Sequence, residues 1–187
     1  MGLGNPGKAY AAHRHNAGFW WVDAAIRIYP AELKAESRFQ GLLGRTTLES
    51  HELFFLLPQT FMNASGRAVG ALARFYKILP QEILVVHDEL DLPPGEVRLK
   101  LGGGHAGHNG LKDIVASLGA PDFWRMRLGI GHPGVKEEVV NYVLNKPTPT
   151  ELSLVEEAIN ESVQALPLLA QGVFPEAQAR INMRRKP

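Results

Sequence analysis

The sequence predicts an α/β protein: a single-domain, three-layer α/β/α arrangement around a mixed, twisted central sheet. Three observations carry this. Ile83-Leu84-Val85-Val86 is a continuous apolar run, the mark of a central strand covered on both faces. Stretches with the 3-4 apolar spacing of helices alternate with strand-like stretches along the chain. Between two of them, Gly102-Gly103-Gly104-His105-Ala106-Gly107-His108-Asn109-Gly110 is too rich in glycine for a strand or a helix. It therefore reads as a strand-to-helix loop, whose N–H groups can hold an anion or a polar backbone. At 187 residues the chain suits one domain, residues 1–187, with a real core.

In order along the chain, Met1-Gly2-Leu3 reads as the tail of a shortened first strand, and Gly4-Asn5-Pro6-Gly7 turns out of it. A helix is expected over 16–29, with Asn16 as N-cap, Phe19, Val22, Ala25 and Ile26 on one face, and Pro30 ending it. Residues 40–47 and 52–57 form a hairpin with a polar turn at Glu49-Ser50-His51. After a loop over 58–63, Ser65-Gly66 opens a helix with Val69, Leu72, Ala73 and Tyr76 inward. The apolar strand 83–86 ends at His87-Asp88-Glu89, and strand 96–101, the glycine loop and helix 111–118 follow. Gly119 is the usual residue just past a helix end. Strand 124–130 places Arg125 and Arg127 on one face and Trp124, Met126 and Leu128 on the other. Helices are expected over 135–144 and 151–171, the second kinked by Pro167, then a short helix from Pro175 and the basic tail Arg184-Arg185-Lys186.

Composition narrows the function classes. A hydrophobic content of 45% and a charged content of 21% are ordinary for a globular protein. No run approaches the ~20 apolar residues of a membrane span, and no basic-then-apolar leader opens the chain. The absence of cysteine removes disulfides, thiol nucleophiles and cysteine-based zinc sites, and fits a cytoplasmic protein. A net charge of +1 makes it no general polyanion binder, so any contact with nucleic acid must come from a local patch.

The glycine loop matches the dinucleotide fingerprint through Gly102, Gly104 and Gly107. The acidic residue expected about 20 residues on, ending the next strand, is missing. It is not a phosphate-binding Walker loop either, because His108-Asn109 stand where Lys and Ser/Thr belong. His105 and His108 make a weak zinc signal without a third ligand in register. More telling is the placement of Asn5, His15, Asn63, Asp88, His108 and Asn109 in loops or at strand ends, the rim where open α/β sheets bind ligands. A histidine and an aspartate can form a general base and its orienting partner, while several amides can grip a peptide-like substrate. Each also has a purely structural reading: His15-Asn16 as a helix cap, Asn5 as a turn former, Asp88 as an Asx-turn residue.

Taken together, several stretches resemble bacterial-type peptidyl-tRNA hydrolase. They are Gly2 to Gly7, Tyr10 with Arg14-His15-Asn16-Ala17-Gly18, Pro58 with Thr60-Phe61-Met62-Asn63 and Ser65-Gly66, His87-Asp88-Glu89-Leu90-Asp91, the glycine loop, and Arg127 with Gly129-Ile130-Gly131-His132-Pro133-Gly134. The resemblance spans essentially the whole chain and keeps the family's order, except that the family has a fuller first strand. It implies hydrolysis of the ester between a peptide and the terminal ribose of tRNA, recycling tRNA from aborted translation (ribosome rescue). With no cysteine and no G-x-S-x-G elbow around Ser65, direct attack by water is the expected route.

By the same resemblance His15 takes the water's proton, Asp88 orients it, and Asn5 joins them in the catalytic set, discriminating blocked from free amino ends. Asn63 and Asn109 bind the peptide backbone and ester region, Phe61 and Met62 shape the wall, and Tyr10 contacts the tRNA end. His108 stands beside Asn109 with its proton role open. Lys100 and Arg127 match a pair that clamps the tRNA 5′-phosphate; otherwise they are two solvated strand charges. The partner implied is peptidyl-tRNA, bound by a cytoplasmic monomer that needs no cofactor, metal, membrane or obligate protein partner. Two other classes stay in view: a non-catalytic RNA-binding relative of the fold, and a metallohydrolase using His105, His108 and His87.

Overall fold

The computed structural model describes residues 1–182, so the basic run Arg184-Arg185-Lys186 lies outside the described residues. Two three-stranded ladders make up the sheet. In one, Lys34–Glu36 (β1), Gly41–Leu48 (β2) and His51–Pro58 (β3) pair antiparallel in chain order. In the other, Leu84–Glu89 (β4), Val97–Leu101 (β5) and Trp124–Gly129 (β6) lie in the order β4-β6-β5, with β4 parallel and β5 antiparallel to β6. The first residues of the chain join the two. Gly2 N–H donates to Leu56 O at 3.1 Å on one side, and Leu3 N–H donates to Val86 O at 2.9 Å on the other. The sheet is therefore mixed, as expected.

Helices cover both faces because β4 is apolar on both. Val86 points to a cluster with Trp21, Val22 and Ala25 of Ala17–Ile28 (α1), and with Val155, Ile159 and Val163 of Pro149–Val163 (α5). Val85, one residue back and on the opposite face, packs with Leu3, Leu56, Phe123, and with Val69 and Leu72 of Ser65–Tyr76. Leu111 and Ile114 of Asn109–Leu118 complete that side. In chain order these last two helices are α2 and α3. Val139–Val143 (α4), Leu166–Ala170 (α6) and Phe174–Asn182 (α7) complete the described elements. At Gly18 a Cβ would come within 2.3 Å of Leu3 N and Val86 O. Glycine thus lets α1 approach β4 at backbone distance, two residues before Asp88 in that strand.

Several expectations are corrected. Strand β4 runs on through His87-Asp88-Glu89, all buried, because each side chain finds polar partners inside and the strand has no need to stop. β1 was not anticipated: Lys34-Ala35-Glu36 is exposed throughout and carries no apolar alternation. The helix expected over 135–144 is a 3-10 turn at Lys136–Glu138 followed by the five-residue α4. The helix expected over 151–171 breaks into α5 and α6 at Gln164-Ala165, since Pro167 lacks an N–H and its ring excludes the carbonyl four residues back. Helix α5 starts earlier than expected, at a capping box in which Glu151 Oε2 accepts from Thr148 N–H at 2.7 Å and Thr148 Oγ1 accepts from Glu151 N–H. The helix after the glycine loop begins at Asn109 rather than Leu111.

The free edge of the sheet at β5 is occupied by side chains. Asn182 Oδ1 accepts from Leu99 N–H at 2.7 Å, and Gln178 Nε2 donates to Leu99 O at 3.0 Å. Helix α7 therefore blunts the edge that carries Lys100.

Candidate active site

The centre of the rim is Asp88, a buried carboxylate at the end of β4. His15, on the 3-10 turn Arg14–Asn16 that leads into α1, places its Nδ1 3.0 Å from both Asp88 oxygens. His108, the N-cap of α3, places its Nε2 2.9 Å from Asp88 Oδ1. An ionised carboxylate only accepts, so both nitrogens carry hydrogen. His15 is then the tautomer with a lone pair on Nε2, and Nε2 makes no hydrogen bond among the described residues. His108 is fixed in the opposite sense, because its Nδ1 accepts the Leu111 N–H at 3.4 Å. The two rings lie 4.9 Å apart.

The electrostatics follow from this geometry. Burial pushes the Asp88 carboxyl up, but the charges of His15 and His108 and their hydrogen bonds outweigh it and hold Asp88 well below the usual carboxylate range. Burial pulls His15 down, and the Asp88 charge and hydrogen bond more than offset it, leaving His15 above an ordinary histidine. His87, fully buried and next to His108, is pushed down to about 3, mainly by burial. It stays neutral, its Nδ1–H donating to Asp88 O at 2.7 Å.

The amides are set around this centre. Asn16 stands at the N-cap position of α1 but does not cap it. Its backbone is already turned by the 3-10 segment, and its side chain grips Asn5 instead. Asn16 Oδ1 accepts from Asn5 N–H at 3.0 Å and Asn16 Nδ2 donates to Asn5 O at 2.9 Å. Asn5 Oδ1 in turn accepts from Met62 N–H at 2.8 Å. With its oxygen held by Met62 N–H, buried Asn5 keeps its Nδ2 hydrogens for a ligand. Asn63 and Asn109 are exposed, with side chains that make no hydrogen bond among the described residues. Tyr10 meets the exposed Phe61 edge-on at 6.1 Å between centroids, forming a wall, while Met62 is buried behind it.

The basic residues share one strand face. Lys100 pairs with Arg125 and Arg98 with Arg127 across β5 and β6, so all four side chains leave on the same side. Lys100 and Arg127 are diagonal neighbours, about 7–8 Å apart by ordinary sheet geometry. Lys100 is exposed and forms no ion pair among the described residues. Arg127 Nε donates to Glu89 Oε2 at 2.8 Å, which leaves its terminal nitrogens free of that bond. Arg125 shares the face of Arg127, as expected, but it is buried, with its guanidinium turned under the glycine loop.

His15, Asp88 and His108 also place three donor atoms within 4.8 Å of one another. A metal on His108 Nε2 would require its hydrogen to move to Nδ1, against the Leu111 N–H that Nδ1 already accepts, so this donor set fits two imidazole N–H groups on a carboxylate better than a cation. His87, His105 and His108 do not come together as a metal group among the described residues. His87 is buried against a carbonyl, and His105 Nδ1 accepts from Gly107 N–H within the loop. Sequence reasoning missed Asn16, whose role needs Asn5 folded against it. It also missed Arg14, which donates to Tyr142 O at 3.2 Å and pairs with Glu151 at 2.9 Å, anchoring the turn that holds His15.

A histidine held by a buried carboxylate at the end of a central strand, with amide side chains on the neighbouring loops, defines a class: an α/β protein with a histidine–carboxylate site at its sheet rim. The family model of peptidyl-tRNA hydrolase matches residues 1–187, and the chain belongs to that family. Peptidyl-tRNA hydrolase of Variovorax paradoxus is 54% identical over 187 residues, covering 100% of this chain and 89% of the relative. That of Nitrosospira multiformis is 56% identical over 186 residues, covering 100% and 97%. The crystal structure of peptidyl-tRNA hydrolase from Acinetobacter baumannii is 49% identical and superposes with a TM-score of 0.96, covering 98% of this chain and 93% of that one.

Proposed function

We propose that His15 is the general base with which this peptidyl-tRNA hydrolase activates water. The His15 Nε2 lone pair takes a proton as the water oxygen attacks the ester carbonyl carbon between peptide and terminal ribose. The bond between the carbonyl carbon and the ribose oxygen then breaks, the ribose oxygen takes back the proton held by His15, and free tRNA leaves with the peptide acid, which loses its own proton to solvent. One observation carries this reading: His15 Nδ1 lies 3.0 Å from both oxygens of buried Asp88, which turns the other ring nitrogen into the acceptor. Asp88 also favours the imidazolium that forms. His108 is a positioning residue, since its one free hydrogen already goes to Asp88.

General-base help is worth about 10²–10⁴ in rate, so positioning and stabilisation of the developing oxyanion supply the remainder. Asn63, Asn109 and the Nδ2 of Asn5 are the donors for the peptide and the ester oxygen. Tyr10, Phe61 and, from behind, Met62 form the wall along the tRNA end. The enzyme acts as a cytoplasmic monomer without cofactor, metal or obligate protein partner. No helix among the described residues is long and apolar enough to cross a membrane.

Amide N–H groups can grip a neutral acyl carbonyl, whereas a free α-ammonium would be desolvated at a site whose carboxylate, Asp88, is already taken by His15 and His108. N-acetyl-aminoacyl-tRNA is therefore expected to be cleaved far faster than the unacetylated ester. Equal single-turnover rates on the two would reject this picture.

Lys100 and Arg127 read the tRNA 5′-phosphate in this account. Lys100→Ala is the cleaner test, because Arg127 also holds Glu89. A lost charge-assisted contact is worth about 1.5–3 kcal/mol, or roughly 10- to 150-fold in binding. The loss should fall on KM with kcat little changed, and removing the 5′-phosphate from the tRNA should reproduce it. An unchanged KM on full-length substrate would leave Lys100 a solvated surface charge.

A further inference from the structure

Arg125 is the buried charge that the chemistry above does not use. It is 3% exposed, the second residue of β6, and no carboxylate lies within ion-pair distance of it among the described residues. Burying a guanidinium without a counter-ion is unfavourable unless its donors are well placed. Here the two terminal nitrogens donate to backbone carbonyls, while the buried Nε has no partner among the described residues. One terminal nitrogen donates to Gly104 O, and the other donates to Gly103 O at 2.6 Å and to Pro121 O at 3.4 Å. The group lies over the Phe123 ring at 4.6 Å.

These carbonyls belong to the first half of the loop whose second half delivers His108 and Asn109. Among the described residues, Arg125 is the one side chain outside the loop that hydrogen-bonds to the backbone of residues 103–107. The loop is otherwise held only at its ends and by itself. Gly102 N–H donates to Phe123 O at 2.9 Å, His108 N–H donates to His105 O at 2.8 Å, and His108 reaches Asp88. Its backbone takes positive φ at Gly103, 107°, and at Ala106, 46°. The second of these is uncommon for a residue with a side chain.

We propose that Arg125 is a positioning residue for the hydrolytic reaction. Its planar fork grips the Gly103 and Gly104 carbonyls and so fixes the loop that presents His108 to Asp88 and Asn109 to the substrate. A guanidinium suits this task because two parallel donors hold orientation as well as distance, which an ammonium cannot do. The proposal rests on the catalytic reading above for its effect on rate, but not for its effect on the loop.

The test compares the full chain with Arg125→Gln and Arg125→Lys in two measurements. One is steady-state turnover of N-acetyl-aminoacyl-tRNA. The other is the imidazole N–H resonance of His108, whose hydrogen bond to buried Asp88 protects it from exchange with solvent. For Arg125→Gln the proposal expects kcat to fall by about 10- to 100-fold, as for a catalytic group displaced by roughly 1 Å. KM should stay within about twofold, and the His108 resonance should be lost to exchange. Arg125→Lys, which keeps the charge but reaches one carbonyl, should show the same pattern in weaker form, and it serves alone if the Gln variant does not fold. A full kcat, or a His108 resonance still protected in a folded variant, would overturn the proposal. So would a rise in KM alone, which would make Arg125 part of the phosphate-binding face. Failure of the wild type to turn over this substrate would sink the catalytic reading while leaving the resonance to decide the loop's anchorage.

Discussion

His15→Ala is expected to lower kcat for N-acetyl-aminoacyl-tRNA by about 10²–10⁴-fold, the usual worth of a general base, with KM nearly unchanged. The separation follows from geometry. His15 is largely buried, with one ring nitrogen spent on Asp88, so it offers the substrate little to bind. The fold should survive the substitution, because the turn that carries His15 is anchored independently by Arg14 on Glu151, Tyr142 and Asn145. Retention of more than a few per cent of the wild-type turnover would remove His15 from the base's role.

Asp88→Asn is expected to be nearly as damaging, with a distinctive pH signature. Two imidazole N–H groups converge on Asp88 Oδ1. An amide can keep Oδ1 for both rings but puts a donor where Oδ2 faced His15 Nδ1 at 3.0 Å, which favours the other tautomer of His15. If His15 yields, its Nδ1 becomes the acceptor and Nε2 can no longer take a proton from water. A rate loss of about 10²-fold or more is expected. The surviving activity should titrate at lower pH. In the wild type, burial lowers His15 and Asp88 raises it to a net upward shift; without the carboxylate only the lowering remains. The base works in its neutral form, so a lower pKa moves the acid limb of the rate profile to lower pH.

Much of this site could be read from the chain, and what could not has identifiable reasons. His15, Asp88, Asn63 and Asn109 stand in recognisable runs, and loop or strand-end placement alone points to a ligand rim. The pairing of His15 with Asp88 spans 73 residues, and no local pattern carries such a contact. Asn16 was legible as a cap because side-chain amides before helices usually are. That it clasps Asn5 depends on an 11-residue excursion closing on itself. Arg125 was placed correctly by strand alternation, yet alternation does not say which polar face is covered, and here the glycine loop covers it. Continuation of β4 through His87-Asp88-Glu89 was hidden for a similar reason. Polar residues signal a strand's end when they meet water, and these meet one another's neighbours instead. The break between α5 and α6 was announced by Pro167, but whether such a proline kinks or ends a helix depends on what packs around it.

The most direct test of the account is the pH dependence of kcat/KM set beside an NMR titration of His15 in the free enzyme. An acid limb is expected whose midpoint lies above the roughly 6.5 of an ordinary histidine, because Asp88 outweighs burial at His15. That midpoint should coincide with the His15 titration and shift downward together with it in Asp88→Asn. A limb that follows a different group, or that stays in place while His15 moves, would contradict the assignment of His15 as the base.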